Sequence, residues 1–106
     1  MHVYVDKRHT LRYFYLVFDW SDEKDKKLKQ ERGIGFEDIV FHVASGDLLS
    51  VSDHPNSQKY PNQKIMYVMV DDYVYLVPYV EEENRKFLKT IIPSRRATKE
   101  FKQKEK

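Results

Sequence analysis

Apolar and polar positions divide this chain into runs of clear period. From Lys64 an almost unbroken apolar and aromatic stretch reaches Val70, stops at Asp71 and Asp72, and resumes at once from Tyr73 to Val80. Two β-rich runs separated by two turn-forming residues predict a β-hairpin. After an acidic break over residues 81–84, residues 85–92 read as a third strand. Pro93 is a poor residue for a strand interior and Ser94 a good helix N-cap, so a short final helix is predicted from Ser94, with Arg95 and Arg96 in its first turn. Cations there oppose the helix macrodipole, which favours acids at that end, and this local misfit marks the pair as candidates for binding.

Upstream the pattern changes twice. Residues 13–18 form a continuous aromatic and apolar run, which predicts a strand buried on both faces or nearly so. Asp19 and Trp20 then lead into a helix with Ser21 as N-cap, Asp22 and Glu23 near the positive end of its dipole, and a body over residues 24–32 in which Leu28 is the one clear apolar residue. Such a helix buries a narrow stripe around Leu28, with Trp20 in the core at its base, and turns the rest to water or a partner. Gly33 is the expected C-cap. A second helix is predicted to follow over residues 33–44, amphipathic through Phe36, Ile39, Val40 and Val43, ending at Ser45, Gly46 and Asp47. Residues 48–52 read as a short strand and residues 53–63, with two prolines, as an exposed loop. Residues 1–12 read either as an extra strand or as a disordered extension. Helices and strands are thus largely segregated. The predicted class is α+β: one small, mostly antiparallel sheet with two N-terminal helices and a short C-terminal helix.

Composition narrows this picture in three ways. At 106 residues there is room for one domain and one core. Charged residues make up 34% of the chain, yet the formal net charge is only +2, so any nucleic-acid partner must be recognised through the placement of charge rather than its total. That placement is uneven: residues 97–106 are dominated by lysine, and residues 81–83 are all glutamate. The chain has no cysteine, which excludes disulfide and thiolate chemistry and makes a cytoplasmic setting the simplest expectation. No apolar run approaches bilayer length, and the first residues lack the apolar core of a signal peptide. No paired carboxylates, Gly-rich phosphate loop or clustered metal-ligand pattern stands out, so no cofactor is expected.

Three stretches resemble the BrnT-like toxins of bacterial type II toxin–antitoxin systems, small proteins of RelE-like ribonuclease fold. Phe18-Asp19-Trp20-Ser21-Asp22-Glu23-Lys24 is similar to that family's opening box, Arg32-Gly33-Ile34-Gly35-Phe36-Glu37-Asp38 to the joint between its helices, and Ile91-Ile92-Pro93-Ser94-Arg95-Arg96-Ala97-Thr98 to its C-terminal box. The three lie in the family's order and spacing and span residues 14–102. Arg32 stands where the family commonly has histidine, and Pro93 where it has serine. An arginine that many members carry after the second hairpin strand falls on the glutamates here, with Arg85 the nearest basic residue. Residues 1–13 lie upstream of where most relatives begin, as an added element or an early start. The resemblance implies a ribonuclease that slows translation, needs no metal, and is silenced by a cognate antitoxin whose DNA-binding part is of ribbon-helix-helix type. DNA would then be reached only through the antitoxin. A non-catalytic interaction or corepressor module that keeps the toxin fold is the competing expectation.

RNA cleavage without a metal calls for a base at the 2′-hydroxyl, cations for the phosphorane charge and an acid for the leaving oxygen. Arg95, which matches the family's basic position, is the first candidate, because a guanidinium grips a phosphate bidentately. Arg32 joins it as a candidate catalytic cation, with Arg96, Lys64 and Arg85 as candidate RNA contacts. Of the four histidines, His54 in the polar loop is the candidate base, while His42 in the amphipathic helix reads as a satisfied, partly buried residue. Tyr60, Tyr67 and Tyr79 could stack on bases, but sheet packing explains them as well. If Arg32, Lys64, Arg95 and Arg96 converge, catalysis is favoured; if they scatter, a binding module is.

Overall fold

The structure is a computed structural model that describes residues 17–104. The predictions for residues 1–13 and for most of the run over residues 13–18 lie outside the described residues. In chain order the described elements are β1 (Phe18–Trp20), α1 (Asp22–Arg32), α2 (Phe36–Ala44), β2 (Leu48–Asp53), β3 (Gln63–Val70), β4 (Tyr73–Glu82), β5 (Arg85–Leu88), β6 (Ile92–Pro93) and α3 (Arg95–Lys104). The class is α+β, as expected. The sheet runs β1-β5-β4-β3-β2, with β6 also on β4, and every pairing is antiparallel except the parallel β1–β5.

The hairpin β3–β4 is the spine, in register from Gln63↔Val80 to Val70↔Tyr73. Its turn residues Asp71 and Asp72 have φ of 50° and 67°, the left-handed pair that a two-residue turn between right-twisted strands requires. The acidic break is built in the same way: Glu81 and Glu82 finish β4, and Glu83 and Asn84, with φ of 47° and 68°, turn the chain into β5. The third strand predicted over residues 85–92 is interrupted. Leu88 pairs with Tyr79 and Ile92 with Leu76, so three residues face two and one is bulged. The bulge shifts the phase of alternation and sends Ile91 fully into the core, while Ile92 faces out.

Cross-strand partners share a face. Met66, Val68, Val70, Val77, Tyr79 and Leu88 lie on one, and there they meet Leu28 of α1, Ile34 of the joint, and Phe36, Ile39 and Val40 of α2 in one buried cluster. On the other face α3 packs over Tyr67 and Val74. Asp19 and Trp20 belong to β1 rather than to the start of a helix, and the partly buried Trp20 packs on the core cluster, its ring stacked on Phe36 of α2 at 5.8 Å. Ser21 caps α1 as expected, accepting from the Lys24 N–H at 3.2 Å, and Gly33 at φ 70° ends it. Helix α2 begins at Phe36, three residues later than its pattern suggested, because Gly33 turns left-handed to end α1 and Gly35, extended at φ −120°, is the N-cap of α2.

That joint is held by a residue that looked like surface. Asp25 is 7% exposed; its carboxylate accepts the Phe36 N–H at 2.8 Å and pairs with Lys29 at 3.0 Å, tying the side of α1 to the start of α2. The Lys29 ammonium is pushed above its ordinary value, first by the hydrogen bond to Asp25 and then by that carboxylate's charge. Gly35 is needed for space. A Cβ there would lie 2.5 Å from the Lys29 Cε and 2.7 Å from the Asp25 Oδ1, and the second of these atoms is pinned.

Candidate functional site

The C-terminal box folds into a corner between β6 and α3. Ser94 does three things there: its N–H donates to the Val74 carbonyl at 3.0 Å, its hydroxyl accepts from the Ala97 N–H at 3.0 Å, and its carbonyl accepts from the Thr98 hydroxyl at 2.7 Å. The Thr98 hydroxyl in turn accepts from the Val74 N–H at 2.8 Å in a buried position. A single side chain thus closes the first turn of α3 and bolts it to β4. Ala97, 5% exposed, is small because its side lies against the sheet. Sequence reading found the Ser94 cap but missed Thr98; the signal was the four-residue spacing from Ser94, which puts both on one helix face.

This clamp fixes where the two arginines go. Arg95 and Arg96 both point to solvent. The Arg96 side chain is 91% exposed, pairs with Glu100 at 3.1 Å, and overhangs a cleft of about 300 Å³ between α3 and the sheet that Tyr67 and Leu76 also line. Arg95 is the one member of the six candidates whose side chain makes no hydrogen bond, ion pair or ring contact among the described residues. Arg32, at the carbonyl end of α1 where the dipole favours a cation, donates from Nη1 to the Ile91 carbonyl at 2.8 Å. Ile91 is four residues before Arg95, with at most about 14 Å between their Cα atoms. The structure therefore places Arg95 and Arg96 side by side at the corner, with Arg32, on the α1–α2 side of the sheet, tied to the strand that leads into it.

The other three candidates lie elsewhere. The corner sits beside Tyr75 and Leu76 of β4, whereas Lys64 is level with Tyr79, His54 donates its backbone N–H to Gln63 level with Val80, and Arg85 faces Glu82. At about 3.4 Å per residue these are some 10–20 Å along the sheet from the corner. Lys64 pairs with Asp53 at 3.4 Å on the helix-covered side. Arg85 pairs with Asp19 at 3.6 Å, in a groove of about 410 Å³ floored by Val80 and Phe87 on the opposite side. The His54 Nδ1 accepts the Asn56 N–H at 2.9 Å, with its ring tilted against Tyr60 at 4.6 Å.

Two further titratable groups belong to the framework of the fold. His42 meets Asp47 at 2.8 Å beyond the end of α2, the satisfied, partly buried histidine that the pattern suggested. Tyr79 is 3% exposed, and burial raises its phenol above the ordinary value, helped by the charges of Glu81 and Asp53. Among the described residues no cluster of three or more His, Cys, Asp or Glu side chains is placed to hold a metal, and no helix is long and apolar enough to cross a membrane. Comparisons with protein-family models, with curated proteins and with solved structures found no match to this chain.

Proposed function

We propose that this chain is the toxin half of a type II toxin–antitoxin pair, acting in the cytoplasm as a metal-independent ribonuclease whose catalytic cation is Arg95. The observation that carries the reading is the corner itself: an arginine with no neutralising partner among the described residues, held on a clamped helix start beside Arg96, with Arg32 anchored nearby. The Arg95 guanidinium offers a bound phosphate a bidentate, charge-assisted grip, and Arg96 on the next residue adds positive charge beside it. As a 2′-hydroxyl attacks phosphorus and gives its proton to water, the bond to the 5′-oxygen breaks and that oxygen takes a proton from water, leaving a 2′,3′-cyclic phosphate and a 5′-hydroxyl. Arg95 stabilises the negative charge that grows on the equatorial oxygens more than it does the ground state, and this difference accelerates the step. Arg96 and Arg32 hold the flanking backbone. In this reading Lys64, Arg85 and His54 play no part in the chemistry at the corner, because the fold sets them apart from it.

The partner follows from the same corner. An antitoxin segment with carboxylates opposite Arg32, Arg95 and Arg96 would exclude RNA by occupying its place, and complementary charge would speed its association. The resemblance supplies the rest of that partner, a ribbon-helix-helix protein through which the pair would reach DNA. Co-expression with the adjacent gene followed by size-exclusion chromatography tests this: a stable complex that dissociates more readily as salt rises is expected, and a monomer eluting apart from a soluble adjacent product contradicts it.

A second reading, the non-catalytic interaction module, is favoured by one observation. Lys64, Arg85 and Arg96 are each matched to a carboxylate, and Arg32 is spent on a backbone carbonyl. Expression of the chain alone separates the two: growth arrest with fragmented RNA supports the ribonuclease, and unimpaired growth with intact RNA supports the module.

A further inference from the structure

Helix α3 is the electrostatic anomaly of the molecule. Its ten residues hold five Lys or Arg and one Glu, a formal +4 against +2 for the whole chain, so the remainder of the chain is net acidic. The cations are also ordered. Arg95, Lys99 and Lys102 recur at i, i+4 and i+7, which puts them on one face, while Ala97, Thr98 and Phe101 on the other face pack on the sheet. Arg95 and Lys99 are exposed and have no side-chain partner among the described residues. Lys102 is held at 2.7 Å by Asp72, whose own side chain is 81% exposed. Glu100, the one acid on the helix, lies to the flank and is taken up by Arg96.

We infer that this row is the track along which the substrate's backbone lies, and that the substrate is a single-stranded RNA gripped through successive phosphates leading away from Arg95. The inference rests on the ribonuclease reading and adds to it the path of the strand. Seven residues of α-helix separate Arg95 from Lys102, about 10 Å. Phosphates of a single strand are spaced more widely than the axial rise of about 3.4 Å of one strand in a duplex, so that length carries about two to three of them, which matches the three cations of the row. A strand must continue past the phosphate that is cut, and the row begins at the proposed catalytic cation. Asp72 competes with the strand for Lys102, so the turn that holds it restrains binding.

The test is binding of a fluorescent, unstructured RNA oligonucleotide with 2′-O-methyl sugars, which cannot supply the attacking hydroxyl, measured by anisotropy over a range of salt. Each phosphate contact contributes about 0.7 to the slope of log affinity against log salt for a single strand. Lys99→Ala is expected to lower the slope by about 0.7 and Lys99→Ala combined with Lys102→Ala by about 1.4. Asp72→Asn, which keeps a residue suited to the left-handed turn, is expected to tighten binding several-fold. A circular dichroism spectrum unchanged from wild type confirms that each variant is folded. RNA binding with an unaltered slope in both lysine variants overturns the track. Equal binding of poly-glutamate, with the same lysine dependence, overturns it in favour of an acidic protein partner. Arg95-dependent RNA breakdown in cells with no binding to this oligonucleotide would remove the track and leave the ribonuclease standing; loss of both would remove the two together.

Discussion

Replacing Asp25 tests the joint that positions α1, and with it Arg32. In Asp25→Ala the Phe36 N–H loses its 2.8 Å acceptor in a buried setting, and Lys29 loses its partner. A hydrogen bond to a charged group is worth about 1.5–3 kcal/mol, and an orphaned buried donor costs a similar amount, partly offset because a buried carboxylate is no longer desolvated. The Lys29 contact adds little, since half of that side chain is in water. The net expectation is a loss of about 2 kcal/mol, a sizeable share of the stability of a small domain. With a urea dependence of about 2 kcal/mol per molar, the unfolding midpoint should fall by about 1 M. Asp25→Asn keeps an acceptor of the same shape without its charge and should lose about half as much, whereas Lys29→Ala should shift the midpoint far less than either. Equal midpoints for wild type and Asp25→Ala would refute the reasoning, as would Lys29→Ala being the more damaging change.

Three further outcomes are expected. Thr98→Val keeps the volume but leaves the buried Val74 N–H without its acceptor, and should cost about 1–3 kcal/mol in urea unfolding while increasing amide exchange along α3. Trp20→Ala removes the ring stacked on Phe36 and should lower stability by about 3 kcal/mol, with an unchanged midpoint arguing that the ring is dispensable. The raised Tyr79 phenol makes stability pH-dependent on the alkaline side. Its neutral form is favoured in the folded state, so its contribution is whole below the ordinary value of 10.0 and is lost as pH rises from there through the folded value. Tyr79→Phe should flatten the fall in urea midpoint above about pH 10, and an unaltered alkaline profile would show that Tyr79 is not responsible.

What the sequence disclosed and what it hid follow from how far apart the interacting groups are along the chain. The Asp71–Asp72 turn, the caps at Ser21, Gly33 and Ser94, and the apolar face of α2 are local patterns, and each was readable. Asp25 was not, because on a helix of almost uniform charge nothing marks one carboxylate as buried; its partner is a backbone N–H eleven residues away. The parallel pairing of β1 with β5 joins segments over 60 residues apart and leaves no periodic trace. The bulge that breaks the run over residues 85–92 arises from pairing with two stretches of β4, so the run looked continuous on its own. The same limit applies to the site. Sequence could nominate Arg32, Arg95 and Arg96 together with Lys64, Arg85 and His54, but only the register along β4 shows how far Lys64, Arg85 and His54 lie from Arg95 and Arg96.

The central claim is tested most directly by inducing wild type and Arg95→Ala, at matched soluble levels and without a partner gene, and following growth together with the integrity of total RNA. Arg95 is exposed and its side chain makes no hydrogen bond or ion pair among the described residues, so its loss should leave the fold and the unfolding midpoint unchanged. The account predicts that wild type halts growth and fragments RNA while Arg95→Ala does neither. Equal toxicity of the two proteins, or unimpaired growth and intact RNA with both, would contradict it.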